Sequence, residues 1–313
     1  MPLLQLPPEI LIRIFDFVGS SYFRSVTPHS LLPLIKDSVG ILDLELKGYE
    51  DWDLISYQAE TIWNSARGHA MRDAWTLGAL YNDLSHLATL TKQSRKLRLL
   101  RIHATSEVHP GFNLINRRDY LFTSTIRAFL SVSNLTSLEL DLCGTSLRPW
   151  RHQEPGERFH VCTDIAALLT TLQRLRLRMR DICADVLKPL QHSTHLRLNE
   201  VLINLSLSHE SSLITSATHA THCGSSPRMG FLKLKADIQK QAQVLVAQMA
   251  APKKVRILTH AQLNIEMQAF DVLTGRNLAL GECAEWDGDG KVIDEEESDE
   301  ESEISSLDWD NDG

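Results

Sequence analysis

The sequence predicts an α/β fold in which short parallel strands alternate with helices and stack into a solenoid. Runs of leucine alternating with charged residues recur through the middle of the 313-residue chain, and this period of two is typical of strands with one buried face. Helix-forming segments precede several of these runs, which favours a parallel sheet. Because one such unit is too small to bury its own leucines, neighbouring units must stack on one another.

The strand runs share the pattern L-x-x-L-x-L, which resembles the strand signature of leucine-rich repeats. The best copy starts at Leu135 and is followed by Cys143, where the repeat takes asparagine or cysteine. Successive copies are irregularly spaced, so we expect larger helices and loops in the longer intervals. The predicted strands are Val39-x-x-Leu42-x-Leu44-x-Leu46, Leu97-x-x-Leu100-x-Ile102, Leu135-x-x-Leu138-x-Leu140, Leu172-x-x-Leu175-x-Leu177, Leu202-x-x-Leu205-x-Leu207, Met229-x-x-Leu232-x-Leu234 and a looser Val255-x-Ile257-Leu258.

Helices are predicted between these strands from capping residues and apolar spacing. Side-chain oxygens at a helix start accept hydrogen bonds from otherwise unpaired backbone N–H groups, and proline ends a helix that precedes it. The predicted helices cover 125–132 after Ser124, 165–171 after Thr163 or Asp164, 185–191, and 237–250 before Pro252. Two further helices are expected within 50–95.

A short amphipathic helix is predicted near the N-terminus. Pro8 suits the first helical turn, and Glu9 places negative charge near the positive end of the helix dipole. Ile10, Ile14 and Val18 then follow at a spacing of four residues and form one apolar stripe. A helix this short is not stable alone, so its apolar stripe must dock on another surface.

This N-terminal string, Leu-Pro-x-Glu-Ile-Leu-x-x-Ile-Phe-x-x-Val, resembles the opening of an F-box. The resemblance implies docking onto the Skp adaptor of a cullin-based SCF ubiquitin ligase, with the rest of the chain selecting a protein substrate. The residues that match the adaptor-binding positions are Leu6, Pro7, Ile10, Leu11, Ile14 and Phe15. The second half of the module departs from the family pattern, because the first cysteine is Cys143 and the first tryptophan is Trp52. Two alternatives stay open: a helix packed on the chain's own core, and a leucine-rich interaction scaffold with a vestigial F-box and no ligase coupling.

Charge divides the chain into a near-neutral body and an acidic end. The segment from 287 to 313 has 13 acidic residues and one lysine, and is predicted to be disordered. The proposed organisation is an F-box-like segment over 1–46, linking helices over 47–95, a repeat region over 96–286 and the acidic tail. As a whole, the chain resembles the F-box proteins with irregular leucine-rich repeats that are abundant in filamentous fungi. Since the body has no strongly basic balance, we expect no nucleic-acid partner.

The remaining composition bears on compartment and chemistry. No run of 18 apolar residues occurs, so no membrane-spanning helix is expected. The five cysteines are widely spaced with no C-x-x-C, which fits a reduced compartment, cytoplasmic and/or nuclear, better than a disulfide framework. Cys143 and Cys183 are interpreted as residues packed in turns. No nucleophile elbow, P-loop or dinucleotide fingerprint is present, so we predict no catalytic residue and no cofactor.

One strand run is a candidate binding surface. Arg174, Arg176 and Arg178 alternate with leucines and would project from the sheet face opposite to them. Such a basic ladder could bind an acidic substrate segment or a phosphopeptide. It could also pair with neighbouring carboxylates such as Glu139 and Asp141, or with the chain's own acidic tail.

Two further patterns resemble metal sites. His219-x-x-His222-Cys223 places three ligand types close together, but no second pair with zinc spacing follows, and we interpret the histidines as exposed loop residues. Carboxylates between Glu285 and Glu296 have the spacing of a calcium loop, which an acidic tail also produces by chance. We therefore predict no metal site.

Overall fold

The computed structural model describes residues 39–46, 74–105, 119–148, 160–190, 195–207, 219–223, 230–260, 266–280, 286 and 288–293. Within them the chain is mixed α/β, with one large and mostly parallel sheet. None of the described helices has the length and apolar character needed to cross a bilayer. The six residues predicted to contact the adaptor lie outside the described residues: Leu6, Pro7, Ile10, Leu11, Ile14 and Phe15.

The strands of the described residues belong to one nine-stranded sheet and two small two-stranded sheets. In chain order they are β1 Ile41–Leu46, β2 Leu99–Ala104, β3 Leu121–Phe122, β4 Ser137–Leu142, β5 Leu147–Arg148, β6 Arg174–Met179, β7 Asp181–Ile182, β8 Glu200–Asn204, β9 Thr221–His222, β10 Lys254–His260, β11 Met267–Asp271, β12 Arg276–Leu280 and β13 Lys291–Val292. The large sheet has the order β1-β2-β4-β6-β8-β10-β11-β12-β13. Its strands are parallel from β1 to β10 and antiparallel from there to β13.

Helices fill the connections between the parallel strands. They are α1 Tyr81–Lys92, which follows a π-helical segment at Trp75–Leu80, then α2 Thr123–Leu130, α3 Cys162–Leu168, a 3₁₀ helix at Ala184–Leu187 and α4 Phe231–Val246. Each one contacts the next in chain order, so they form a layer beside the sheet. The predicted alternation of strand and helix, and the parallel pairing of the strands, are confirmed.

The core lies between this helical layer and one face of the sheet. Two rows of apolar side chains cross the sheet in register, one through Leu138 in β4 and one through Leu140. These rows are Leu100, Leu138, Leu175, Val201 and Val255, and Ile102, Leu140, Leu177, Ile203 and Ile257, all at most 1% exposed. Burying each such side chain contributes roughly 1.5–3 kcal/mol. No single strand could bury its pair alone, so side-by-side stacking supplies the burial that the sequence pattern requires.

Two predicted strands need correction. Met229-x-x-Leu232-x-Leu234 is wrong, because the described part of this run belongs to α4, where Leu232 is 66% exposed. Leu234, Ile238, Ala242 and Leu245 are buried at helical spacing, and this longer pattern outweighs one local alternation.

The second correction is a change of register around β8. This strand presents Val201 and Ile203 to the leucine rows, following Leu198, while Leu202 lies on the opposite face with Leu258. The predicted copy starting at Leu202 is therefore displaced from the true one, which starts at Leu198. Neighbouring residues of a strand point to opposite faces, so Leu202 cannot share the face of Val201 and Ile203 on either side of it.

Two segment boundaries also differ from the expectation. β1 lies inside the range assigned to the F-box-like segment, yet it pairs with β2 over its whole length. β13 lies inside the acidic tail predicted to be disordered from residue 287, yet it pairs with β12. In both cases the free edge of a neighbouring strand provides hydrogen-bond partners for the backbone of the segment. Composition alone does not predict such pairing. Residues 294–313 lie outside the described part of the chain.

Gly290 and Gly275 provide a matched test of turn geometry. Both have a positive φ, +67° and +72°, but only at Gly290 would an added Cβ lie 2.8 Å from Leu280 Cδ2 and 3.0 Å from the Ala279 carbonyl oxygen. We expect Gly275→Ala to cost about 1–2 kcal/mol from backbone strain, and Gly290→Ala to cost more. Denaturant unfolding of both variants measures this difference. Equal losses would show that the contacts at Gly290 relax without cost.

Candidate functional site

The face of the large sheet opposite the leucine rows is charged, and we call it the polar face. The register aligns Asp43, Arg101, Glu139 and Arg176 across β1, β2, β4 and β6. Arg101 pairs with both of its carboxylate neighbours, at 2.8 Å from Asp43 and 3.2 Å from Glu139. Because the strands are parallel and in register, acidic and basic side chains alternate along a row that crosses the sheet.

Glu200 connects two of the predicted ligand-binding arginines. Its carboxylate oxygens lie 3.0 Å from Arg174 Nε and 2.8 Å from Arg176 Nε. The Arg174 side chain is 48% exposed and the Arg176 side chain 14%. Arg174 is thus the more accessible of these two cations, and it sits at the strand start.

Arg178 is buried and forms a two-point ion pair with Asp141. Its Nε donates to Asp141 Oδ1 at 2.8 Å, and Nη2 donates to Oδ2. Arg178 and Asp141 are 4% and 7% exposed. Burial raises the pKa of Asp141, but the hydrogen bonds and charge of Arg178, aided by the hydrogen bond of the Cys143 side chain and by His103, outweigh it and lower the pKa overall. This ion pair is therefore a buried part of the polar face.

The arginines of the predicted basic ladder are therefore paired with local carboxylates, and Arg174 and Arg176 share Glu200. Arg174, Arg176 and Arg178 do share one face, opposite the leucine rows. Among the described side chains of this face, each of the three has a carboxylate partner within its own sheet. An acidic ligand would have to compete with Glu200 for Arg174, or bind the network as a whole.

The chain returns to this side of the sheet near its C-terminal end. The Trp286 ring lies over the Arg178 guanidinium at 4.9 Å and packs against an apolar cluster that includes Leu202 and Leu258. Arg256 Nη1 donates to the Gly288 carbonyl oxygen at 2.5 Å, and Lys254 Nζ lies 3.8 Å from Asp289. Trp286, Gly288 and Asp289 therefore contact basic side chains of the sheet. The outer carboxylates of the calcium-like spacing, Glu285, Asp287 and Glu296, lie outside the described residues.

A second group of functional side chains forms a thiol–imidazole cluster of His160, Cys162, Cys183 and Cys223. One candidate ligand atom from each lies within 4.8 Å of all the others. The sulfurs of Cys162 and Cys223 are 3.7 Å apart, and the sulfur of Cys183 is 3.8 Å from His160 Nδ1. A disulfide would need about 2.05 Å between sulfurs, so these cysteines are separate thiols.

Short secondary structure elements bring the four residues together. β7 and β9 pair in parallel, and each is followed directly by a cysteine, so Cys183 and Cys223 leave the small sheet side by side. The Cys223 backbone N–H donates to the Ile182 carbonyl oxygen at 3.3 Å, which extends that pairing. Cys162 is the first residue of α3, and His160 lies two residues before it.

The thiols of this cluster perturb one another. Hydrogen bonds from Cys162 and Cys223 lower the pKa of Cys183, with further help from the Asp185 backbone N–H and His160, against a burial effect that raises it. The same hydrogen bonds to Cys183 raise the pKa of Cys162, while those involving Cys162 and Cys183 raise the pKa of Cys223. Cys183 is therefore the sulfur that this arrangement favours as a thiolate.

The sequence motif around residue 220 contributes only one member. Cys223 joins the cluster, but His219 packs on the Phe231 ring at 4.2 Å and is 5% exposed, so its interpretation as an exposed residue is wrong. Cys183 follows a strand as predicted, but it contacts other thiols rather than only packing in a turn. The local signal for this cluster is the pair His160-x-Cys162, which sequence reasoning missed because its partners are far along the chain.

Comparisons of the chain with protein-family models, with curated proteins and with solved structures found no match. The sequence and the two sites described above are therefore what indicate the function of this chain. The polar face is a charge-balanced surface, and the thiol–imidazole cluster is a compact group of soft ligand atoms.

Proposed function

We propose that this protein is an F-box-type substrate-recognition subunit of an SCF ubiquitin ligase. The observation that carries the proposal is the N-terminal string from Leu6 to Phe15, whose apolar stripe matches the adaptor-binding positions of an F-box. It stands ahead of a large parallel strand–helix region with its own buried core. The chain would bind the Skp adaptor through the first segment and a protein substrate through the second, working in the cytoplasm and/or nucleus.

The proposed mechanism is positioning rather than covalent chemistry. The adaptor fixes the N-terminal segment relative to the cullin scaffold, and the body holds a substrate near the ubiquitin-carrying enzyme. Holding two reactants in a fixed geometry raises their effective concentration, which is sufficient to accelerate transfer. No residue of this chain is required to act as an acid, base or nucleophile.

We further propose that the body is an irregular leucine-rich-repeat solenoid. The supporting evidence is the order of its parallel strands, β1-β2-β4-β6-β8-β10, which follows the chain, with leucine rows aligned from one strand to the next. The antiparallel strands β11 to β13 would then close the C-terminal edge, as capping units do in solenoids. Substrate would bind on the polar face, where half-exposed Arg174 is the arginine best placed for an acidic segment.

A pull-down with purified Skp adaptor tests this proposal. The intact chain is expected to bind, and a Pro7→Ala/Ile14→Asp variant is expected to bind at least tenfold more weakly, because Ile14→Asp places a charge in an apolar interface. Arg174→Glu is the matched control: it changes the polar face and should leave adaptor binding unaltered. Binding that survives in the double variant would contradict the assignment of the adaptor-binding residues.

The second candidate is a leucine-rich interaction scaffold whose F-box is vestigial. It is favoured by the departure of the sequence after Val18, where the expected cysteine and tryptophan of the F-box are missing before Trp52. The two candidates differ in one measurement. If the folded intact chain fails to bind the adaptor, the scaffold without ligase coupling becomes the better description.

A further inference from the structure

We propose that His160, Cys162, Cys183 and Cys223 form a structural zinc site. The four ligand atoms come from three separate segments of the chain and converge within 4.8 Å of one another. Three thiolates and one imidazole are an established ligand set for tetrahedral Zn²⁺. This site does not depend on the proposed adaptor or substrate binding.

Two of the separations between ligand atoms fit a single zinc ion. With Zn–S bonds of about 2.3 Å and a Zn–N bond of about 2.0–2.1 Å, tetrahedral geometry places neighbouring ligand atoms about 3.5–3.8 Å apart. The separations of 3.7 Å between Cys162 and Cys223 sulfurs and 3.8 Å between Cys183 Sγ and His160 Nδ1 agree with these values. A cluster of several irons needs more widely separated ligands, and Ca²⁺ or Mg²⁺ prefers oxygen.

The ligand set also indicates a structural rather than a catalytic role. Four protein ligands complete a tetrahedral shell and leave no position for a reacting water. Cys162 and Cys183 are 0% and 4% exposed, whereas His160 and Cys223 are partly buried, so two of the four ligands are shielded from solvent. The ligand segment is held from outside as well: Arg127 donates to the His160 carbonyl oxygen at 3.5 Å and pairs with Asp164 at 3.0 Å. Such outer contacts orient ligands before the metal binds.

Zinc would stabilise the short secondary structure elements that carry its ligands. β7 and β9 have two residues each and α3 has seven, and elements this short are not stable without tertiary support. The ion would connect the start of α3 to the ends of β7 and β9, joining residues 61 positions apart in the case of Cys162 and Cys223. It would act as a cross-link in a compartment where disulfides do not persist.

Metal content of the intact protein is the first test. The full chain, purified under reducing conditions with an affinity tag that contains no histidine, is expected to hold about one zinc per chain after extensive dialysis, as measured by inductively coupled plasma mass spectrometry. Cys183→Ser and Cys223→Ser should lose at least nine-tenths of it. Cys143→Ser is the matched control, because Cys143 is buried but lies outside the cluster. An intact protein without zinc, or equal retention in all three variants, would overturn the proposal.

A second measurement guards against variants that fail to fold. His160→Cys replaces the imidazole with a fourth thiolate, so it should keep about one metal ion, whereas His160→Ala should hold the ion more weakly. After replacement of zinc by Co²⁺, the intact protein should show tetrahedral cobalt bands and thiolate charge transfer, and His160→Cys should shift them. A cobalt spectrum without thiolate charge transfer in the intact protein would exclude the cysteines as ligands.

Discussion

Removal of zinc from the intact protein is expected to lower its free energy of unfolding by about 4 kcal/mol, relative to a buffer that holds free zinc a thousandfold above its dissociation constant. The reason is mass action: the ion binds the folded arrangement of four ligands, and the unfolded chain does not hold them together. For a chain of this size the loss corresponds to a fall in melting temperature of about 10 °C. Thermal unfolding followed by circular dichroism, with and without a chelator, measures it.

The variants distinguish this effect from a general action of the chelator. Cys143→Ser should show the same fall as the intact protein, while Cys183→Ser should melt early in both buffers and respond little to chelation. Hydrogen exchange locates the change: the Cys223 and Thr221 amides, which bond to the Ile182 and Arg180 carbonyl oxygens, should lose protection first. A chelator that leaves the melting temperature of the intact protein unchanged would contradict the stabilising role of the ion.

Arg178→Met is the second change with a large expected effect, a loss of about 3–5 kcal/mol in the free energy of unfolding. It leaves the Asp141 carboxylate buried without its two-point partner. Arg178→Met/Asp141→Leu should recover most of this loss, because replacing a whole buried ion pair by apolar side chains is often neutral. Denaturant unfolding of the four proteins of this cycle gives the coupling energy. If the two single losses simply add, the pair is not coupled.

An exposed pair on the same face is the control for burial. Arg101 pairs with Asp43 at 2.8 Å and with Glu139 at 3.2 Å, but the side chains of Arg101, Asp43 and Glu139 are 42%, 43% and 25% exposed. Arg101→Met is therefore expected to cost no more than about 1 kcal/mol, since water screens the charges and already solvates the partner. The contrast between Arg178 and Arg101 separates the effect of burial from the presence of an ion pair.

The pH dependence gives a second readout of the Arg178–Asp141 pair. The folded pKa of Asp141 is lowered, so the unfolded chain takes up its proton at a higher pH than the folded chain does. The stabilising contribution is thus complete above the ordinary aspartate range, about pH 4, and is lost as the pH falls through the folded pKa. Asp141→Asn should lose less stability than the parent chain on going below about pH 4. Parallel acid profiles would show that Asp141 does not contribute.

Local periodicity was enough to predict the strands in which leucines alternate with charged residues. Leu138 and Leu140 alternate with Glu139 and Asp141, and this pattern places one pair in the core and the other on the polar face whatever the partner strands are. The pattern was insufficient at Leu232 and Leu234, because a spacing of two over six residues does not distinguish a strand from the first turn of a helix. The longer pattern of buried residues through Ile238 and Ala242, at a spacing of four, indicates the helix.

The order of residues along the chain was enough to determine that the alternating leucines must be buried and that Arg174, Arg176 and Arg178 share one face, since side-chain direction along a strand follows from the backbone. Only the tertiary structure decided which carboxylates neutralise these arginines, because Glu200 and Asp141 reach them through the register of adjacent strands. The tertiary structure also determined which residues form the thiol–imidazole cluster. His160 and Cys162 are local neighbours, but Cys183 and Cys223 join them only after β7 and β9 pair, and residues brought together by chain folding over such separations leave no local pattern in a single sequence.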